Sequence, residues 1–138
     1  MHTLEAIIEF IKEQTARREV NADDDLCNGL GIAGDDHDEF MQAYSKKFNV
    51  DMRSYLWYFH TNEEGSRSSI GSDFFKPPNE RVKHISITPQ MLLEFAKKGK
   101  WVITYPEHTH PKHRYDILIT DSIEFVIIAY VIYSCFKN

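Results

Sequence analysis

Apolar residues recur every three or four positions near the start of the chain, which is the spacing of one face of an α-helix. This face consists of Leu4, Ile7, Ile8 and Ile11. Thr3 lies just before it and is suited to cap the first turn. The pattern therefore predicts a helix over residues 3–18.

A second amphipathic pattern follows a long stretch rich in Asn, Asp and Gly over residues 19–34. Its apolar positions are Phe40, Met41, Tyr44 and Phe48. Acidic residues come directly before them, where they favour the positive end of a helix dipole. We predict a helix that ends near Asn49, and a long ordered loop ahead of it that packs on the core.

The second half of the chain predicts strands and one further helix. Apolar and polar residues alternate over residues 82–87, and residues 101–105 form a short β-like run. Between them, Thr88 and Pro89 are typical of a helix start and Gly99 of a helix end, which predicts the helix Pro89–Lys98. Residues 62–79 are rich in Gly, Ser and Pro and predict a loop.

In two apolar segments, the spacing of apolar residues does not distinguish a helix from a strand. The aromatic run at residues 55–59 is expected to lie in the core, as a strand or a short helix. The tail at residues 123–136 is either helix or strand, and we expect it to be buried. It has 14 residues and contains Glu124, which falls short of the roughly 20 residues that cross a bilayer. The sequence thus predicts no membrane span and one α+β domain over residues 1–138, helical in its first half.

The chain has 138 residues and a net charge of −5, which argues against nucleic acid as a ligand. Residues 1–6 lack the basic start of a secretory signal, and Cys27 and Cys135 show no paired spacing. We therefore expect a cytoplasmic protein with reduced thiols.

The charge is uneven along the chain. Residues 1–64 contain 14 acidic and 6 basic residues, whereas residues 65–138 contain 7 acidic and 10 basic ones. Residues 23–39 include seven acids and no Lys or Arg: Asp23, Asp24, Asp25, Asp35, Asp36, Asp38 and Glu39. Such a field would steer a basic protein partner, although helix capping and a solvated loop explain any single acid as well.

Candidate chemistry is weaker than this charge signal. His108, His110 and His113 lie within six positions and are weak candidates for a metal site, since no His-Glu-x-x-His motif or Cys pair supports them. The glycines at 29, 31 and 34 have dinucleotide-loop spacing but follow acids rather than an apolar strand. We find no nucleophile motif, and we expect no enzyme activity and no cofactor.

The central segment resembles two related kinds of protein. Leu30-Gly31 followed by an acidic helix start resembles an acyl carrier protein, but Gly34 stands where the carrier serine would be, so no hydroxyl is present to hold phosphopantetheine. Gly34-Asp35-Asp36, the run from Pro78 to Val82, and Gly99-Lys100-Trp101 resemble the uncharacterised bacterial family called domain of unknown function 1493.

The second resemblance covers roughly residues 4–101 and leaves residues 102–138 as an extension. It implies an acyl-carrier-like helical first half, with no established activity or catalytic residues. Together with the charge pattern, it favours a non-catalytic protein-binding protein, such as an immunity protein or a secretion-system accessory that masks a basic partner. The alternative is an acyl-carrier-like or acyl-chain-binding protein without a covalent arm.

Overall fold

The computed structural model describes residues 2–63 and 69–137. Within them it contains five α-helices: α1 (Leu4–Thr15), α2 (Gly34–Phe48), α3 (Ile70–Phe74), α4 (Pro89–Lys98) and α5 (Tyr115–Lys137). Short 3₁₀ turns occur at Trp57–Phe59 and Pro78–Glu80. Part of the predicted loop at 62–79, residues 64–68, lies outside the described residues.

Helices α1, α2 and α4 enclose one core, because each presents an apolar face to the other two. The fully buried side chains at its centre include Ile7, Phe10, Ile11, Tyr44 and Leu92. The Phe10 ring lies 5.2 Å from the Phe40 ring, and the Tyr44 hydroxyl donates a hydrogen bond to the Leu92 carbonyl. This bond ties α2 to α4 and satisfies a hydroxyl that burial would otherwise leave unpaired.

The predicted helices at 3–18, at the acidic segment and at 89–98 are confirmed. The Thr3 hydroxyl accepts a hydrogen bond from the Ala6 amide, although α1 ends at Thr15, three residues earlier than predicted. Asn49 follows α2 with a φ of 52°, and Gly99 follows α4 with a φ of 66°. Both angles lie in the left-handed region that commonly ends helices.

The prediction of an α+β fold is wrong. The described residues contain no sheet, and their one β-bridge pairs Asp51 with Lys100. Residues 82–87 are extended, but their hydrogen bonds go singly to separate loops: the Leu26 amide donates to the Ile87 carbonyl and the Ile85 amide to the Phe59 carbonyl. Alternation predicts an extended backbone, whereas a strand also needs a neighbour that continues the ladder.

The prediction of a buried C-terminal element is also wrong. The tail forms α5, which has 23 residues rather than 14, and Asp116 is the one buried residue in it. Helix α3 packs on its first turns, where the Gly71 amide donates to the Thr120 hydroxyl. A Cβ at Gly71 would come 1.8 Å from the Asp116 carbonyl oxygen, so glycine is required for this approach.

The cap of α4 gives a test of this helical core. The Thr88 hydroxyl accepts a hydrogen bond from the Met91 amide. We predict that Thr88→Ala lowers the free energy of unfolding by about 1 kcal/mol in urea denaturation, because that amide loses its partner. Thr88→Ser is the matched control and should retain most of the stability. Equal stability of the Ala variant and the native protein would show that the cap is dispensable.

Candidate partner-binding site

The start of α2 is held by the segment that follows the aromatic run. Ala33 makes no side-chain cap, and the Gly34 amide instead donates to the Asn62 carbonyl at 3.0 Å and to the Thr61 hydroxyl at 3.2 Å. Gly34 has a φ of 58°, a conformation that favours glycine. The exposed first turn of α2 therefore lies directly beside residues 57–62.

The acids of α2 point to two different surfaces. Asp35 and Asp38 border a small cavity of about 90 Å³ together with Trp57 and Thr61. Asp36 and Glu39 border another cavity, of about 270 Å³, across from Arg17. All four carboxylates are exposed, and none forms an ion pair with any residue that the structure describes.

An open apolar groove of about 470 Å³ continues from Asp38 along α2. Its lining comes from one face of α2 and from the segment at 52–57: Met41, Gln42, Ser45, Lys46, Met52, Tyr55 and Trp57. A concave apolar surface with a few charged groups at its rim is the usual form of a binding site. We call Asp35, Asp38 and this groove the acidic groove.

The acids at 23–25 have other roles. The Asp24 carboxylate accepts a hydrogen bond from the Asn21 amide at 2.7 Å. Asp25 is partly buried and accepts from His84 at 2.6 Å, from Ser86 at 3.1 Å and from the Cys27 amide at 3.2 Å. Burial raises the pKa of Asp25, but these hydrogen bonds and the nearby His84 lower it by more. Asp25 thus anchors the loop, whereas Asp23 is exposed.

A buried network of histidine and tyrosine side chains lies beneath the acidic groove. His37 of α2 pairs with the Tyr55 hydroxyl at 2.8 Å, and the Tyr55 ring stacks on His60 with ring centres 5.5 Å apart. His60 pairs with the Tyr105 hydroxyl at 2.8 Å. The network connects α2 to the segment at 55–60 and to the run at 101–105.

The hydrogen bonds determine which nitrogen of His60 carries a proton. The Tyr105 oxygen accepts bonds from the Trp101 indole at 2.8 Å and from the Leu56 amide at 3.1 Å, so its own proton is donated to His60 Nε2. His60 Nδ1 lies 2.7 Å from the Ile85 carbonyl, which can only accept. His60 is therefore neutral, with its proton on Nδ1.

Burial also keeps both histidines neutral. Desolvation lowers the pKa of His60 to about 4 and lowers that of His37 as well. Sequence reasoning missed both residues. His37 was identifiable, because it lies three, four and seven positions before Phe40, Met41 and Tyr44, on the apolar face of α2.

Of the three histidines considered as metal ligands, His108 and His110 lie beside each other, with ring centres 5.3 Å apart, but the described residues place no third ligand with them. Both nitrogens of His108 have protein partners, the Tyr58 hydroxyl and the Pro106 carbonyl, each at 2.8 Å. The His110 ring packs against the Tyr58 ring, and His113 lies beside Tyr115. Across the described ranges, no three His, Cys, Asp or Glu side chains are placed to hold a metal ion. Cys27 is buried and Cys135 is exposed.

Three helices around one core, with the acidic groove at one edge, define a small helical domain. The chain belongs to the family described as Protein of unknown function (DUF1493), whose model matches residues 4–104. The match includes α1 to α4 and the acidic groove, and it ends before α5. No curated protein and no solved structure matches the chain significantly.

The neutral histidines make stability depend on pH. An unfolded histidine binds a proton near pH 6.5, whereas folded His60 does so near pH 4, so the unfolded state gains protons first as pH falls. We predict that the free energy of unfolding falls between pH 6.5 and pH 4, by about 3 kcal/mol from His60 alone. Urea denaturation across this range measures the slope.

Exposed His113 offers the matched control for this slope. His113→Gln removes an exposed histidine that lies outside the network, and the slope is measured for it in parallel with the native protein. A free energy of unfolding that stays constant from pH 6.5 to pH 4 would contradict the assignment of neutral, desolvated histidines.

Proposed function

We propose that this protein is a non-catalytic protein-binding protein whose docking site is the acidic groove. The proposal rests on the position of two exposed carboxylates that form no ion pair with the residues that the structure describes: Asp38 lines the apolar groove, and Asp35 borders the small cavity that shares Asp38 and Trp57 with it. Protein interfaces commonly combine a buried apolar anchor with a charged rim. The partner would place an apolar side chain between Met52 and Trp57 and basic groups against the two carboxylates.

Charge supports a basic partner. The net charge of −5 and the excess of acids in residues 1–64 favour approach of a cationic surface. Asp36 and Glu39 extend the same sign along the exposed side of α2. An immunity protein or a secretion-system accessory that masks a basic toxin in the cytoplasm is the role we propose within this class.

The chemistry of His37 and His60 supports a binding role for this part of the protein over a catalytic one. A general base needs a free nitrogen within reach of substrate. Both ring nitrogens of His37 and of His60 are already engaged in hydrogen bonds inside the protein. These groups therefore serve the fold and the shape of the groove.

The proposal predicts slower association when the rim carboxylates are neutralised. Asp35→Asn combined with Asp38→Asn should lower the association rate constant about tenfold at low ionic strength and flatten its dependence on salt. The partner is first identified by parallel capture from native-host lysate with the native protein and the double variant as baits. Kinetics are then measured by surface plasmon resonance with the purified partner.

A second double variant controls for total charge. Glu5→Gln combined with Glu9→Gln removes the same charge from the exposed side of α1, away from the groove. It should leave most of the association rate unchanged. Equal slowing by the two double variants would show that the docking site is not the acidic groove. If neither variant slows association, the proposal fails.

The open groove also favours one alternative, an acyl-carrier-like or acyl-chain-binding protein without a covalent arm. Met41, Met52 and Trp57 offer an apolar surface to a single chain of lipid. We predict no mass gain after incubation with coenzyme A and a phosphopantetheinyl transferase, because Gly34 provides no hydroxyl. Intact-mass spectrometry measures this, with a known carrier protein as positive control. A mass gain would contradict the assignment of Gly34.

A fluorescent fatty acid distinguishes this alternative from the main proposal. Saturable binding that Trp57→Ala weakens would favour the acyl-binding alternative. Binding of the fatty acid that Trp57→Ala leaves unchanged, or no binding, would remove it.

A further inference from the structure

Helix α5 is strongly apolar and yet exposed to solvent. It runs for 23 residues, its most apolar window of 18 residues has a mean hydropathy of 1.8, and none of that window is buried in the protein. Exposed fractions reach 74% at Phe125, 70% at Tyr130 and 88% at Phe136. A contiguous apolar surface of this kind marks a site that contacts another apolar phase.

The distribution of its apolar residues indicates what that phase is. Residues 125–133 are apolar without interruption, and nine residues pass around the helix axis more than twice. A helix that docks on a protein groove or a second copy needs one apolar stripe and a polar reverse side. A helix that is apolar on every side needs an environment that surrounds it.

The length of α5 fits a bilayer. Its 23 residues extend about 34 Å, against about 30 Å for the hydrocarbon core of a membrane. Two other kinds of helix share such length and hydropathy, the buried core helix and the N-terminal signal sequence. α5 is neither, because it is exposed and follows more than a hundred residues of folded chain.

The base of α5 has the features of a membrane interface. Ile70, Phe74 and Tyr115 are exposed there, and the Phe75 ring lies 5.4 Å from the Tyr115 ring. Tyr is enriched at the headgroup level, and Tyr115 fits this position. Lys76, Arg81 and Lys112 add positive charge beside the same point, whereas Arg114 is paired with Glu63 and Asp116.

We propose that α5 inserts across a lipid bilayer and anchors the folded unit of residues 4–104 to the membrane surface. This differs from the expectation drawn from sequence, which took the apolar element to be 14 residues long. Asp121 and Glu124 lie in the half of α5 nearer the folded unit. Because Asp121 and Glu124 fall within the span, their carboxylates oppose insertion, and the apolar residues of α5 must outweigh them. Lys137 lies at the opposite end.

The test is cell-free synthesis of the full chain with phosphatidylcholine vesicles, followed by flotation in a density gradient and trypsin digestion. We expect the native protein to float and to resist extraction by alkaline carbonate. Trypsin should leave a vesicle-protected fragment that starts after Lys112 or Arg114 and ends at Asn138. Cleavage after Lys137 in intact vesicles would overturn the spanning arrangement.

Two variants at one exposed position give the matched comparison. Ile128→Arg should reduce the floating fraction at least about tenfold, because a charge near the middle of the hydrocarbon is strongly disfavoured. Ile128→Leu should float like the native protein. The Arg variant should keep the urea midpoint of the folded unit, because Ile128 is 57% exposed.

A second copy of the chain is the competing occupant, and the same samples test it. Sedimentation without lipid measures self-association. The proposal is overturned if the native protein forms a discrete soluble oligomer and does not float, or if Ile128→Arg floats as well as the native protein. It does not depend on the acidic groove, so either proposal can fail alone.

Discussion

The arrangement of the loops depends on the buried hydrogen bonds of His37, Tyr55, His60 and Tyr105. Without a sheet in the described residues, no ladder of backbone bonds fixes the segments between α2 and α4. The Tyr105 hydroxyl alone joins His60, Trp101 and the Leu56 amide. A buried network of this kind is costly when incomplete, so its full satisfaction selects one loop arrangement.

The acidic groove follows from the same network. Tyr55 and Trp57 form one wall of the groove because the segment that contains them is fixed at His60. The hydroxyl of the next residue, Thr61, accepts a hydrogen bond from the Gly34 amide and so helps to determine where α2 begins. Protonation of His60 would place a donor against the Tyr105 oxygen, whose lone pairs are already occupied. Protonation of His60 is thus expected to disturb the wall of the groove that Tyr55 and Trp57 form.

Local sequence signals predicted those parts of the fold that depend on a single helix. α1, α2 and α4 combine an apolar face with a cap or a stop residue, and these features are independent of the rest of the chain. The predicted strand at 82–87 failed because an extended segment becomes a strand only beside another. The burial of α5 was also predicted wrongly, since high hydropathy shows that a helix avoids water but does not identify what covers it.

The candidate site was partly accessible from sequence. The acids of α2 were found by charge alone. Their division into two surfaces, with Asp35 and Asp38 on one and Asp36 and Glu39 on the other, depends on how the helix is rotated against residues 55–62, which the sequence does not show. The internal role of Asp25 required His84 and Ser86, which are about sixty positions away. His37 was recognisable by its helical spacing, whereas His60 required the contacts of three distant segments.

The most direct test of the central claim is the protonation state of His60, observed by nitrogen NMR of its ring as a function of pH. The hydrogen bonds predict a neutral ring with the proton on Nδ1, which stays neutral until the pH approaches 4. A His60 ring that titrates near pH 6.5, or that carries its neutral proton on Nε2, would contradict the account.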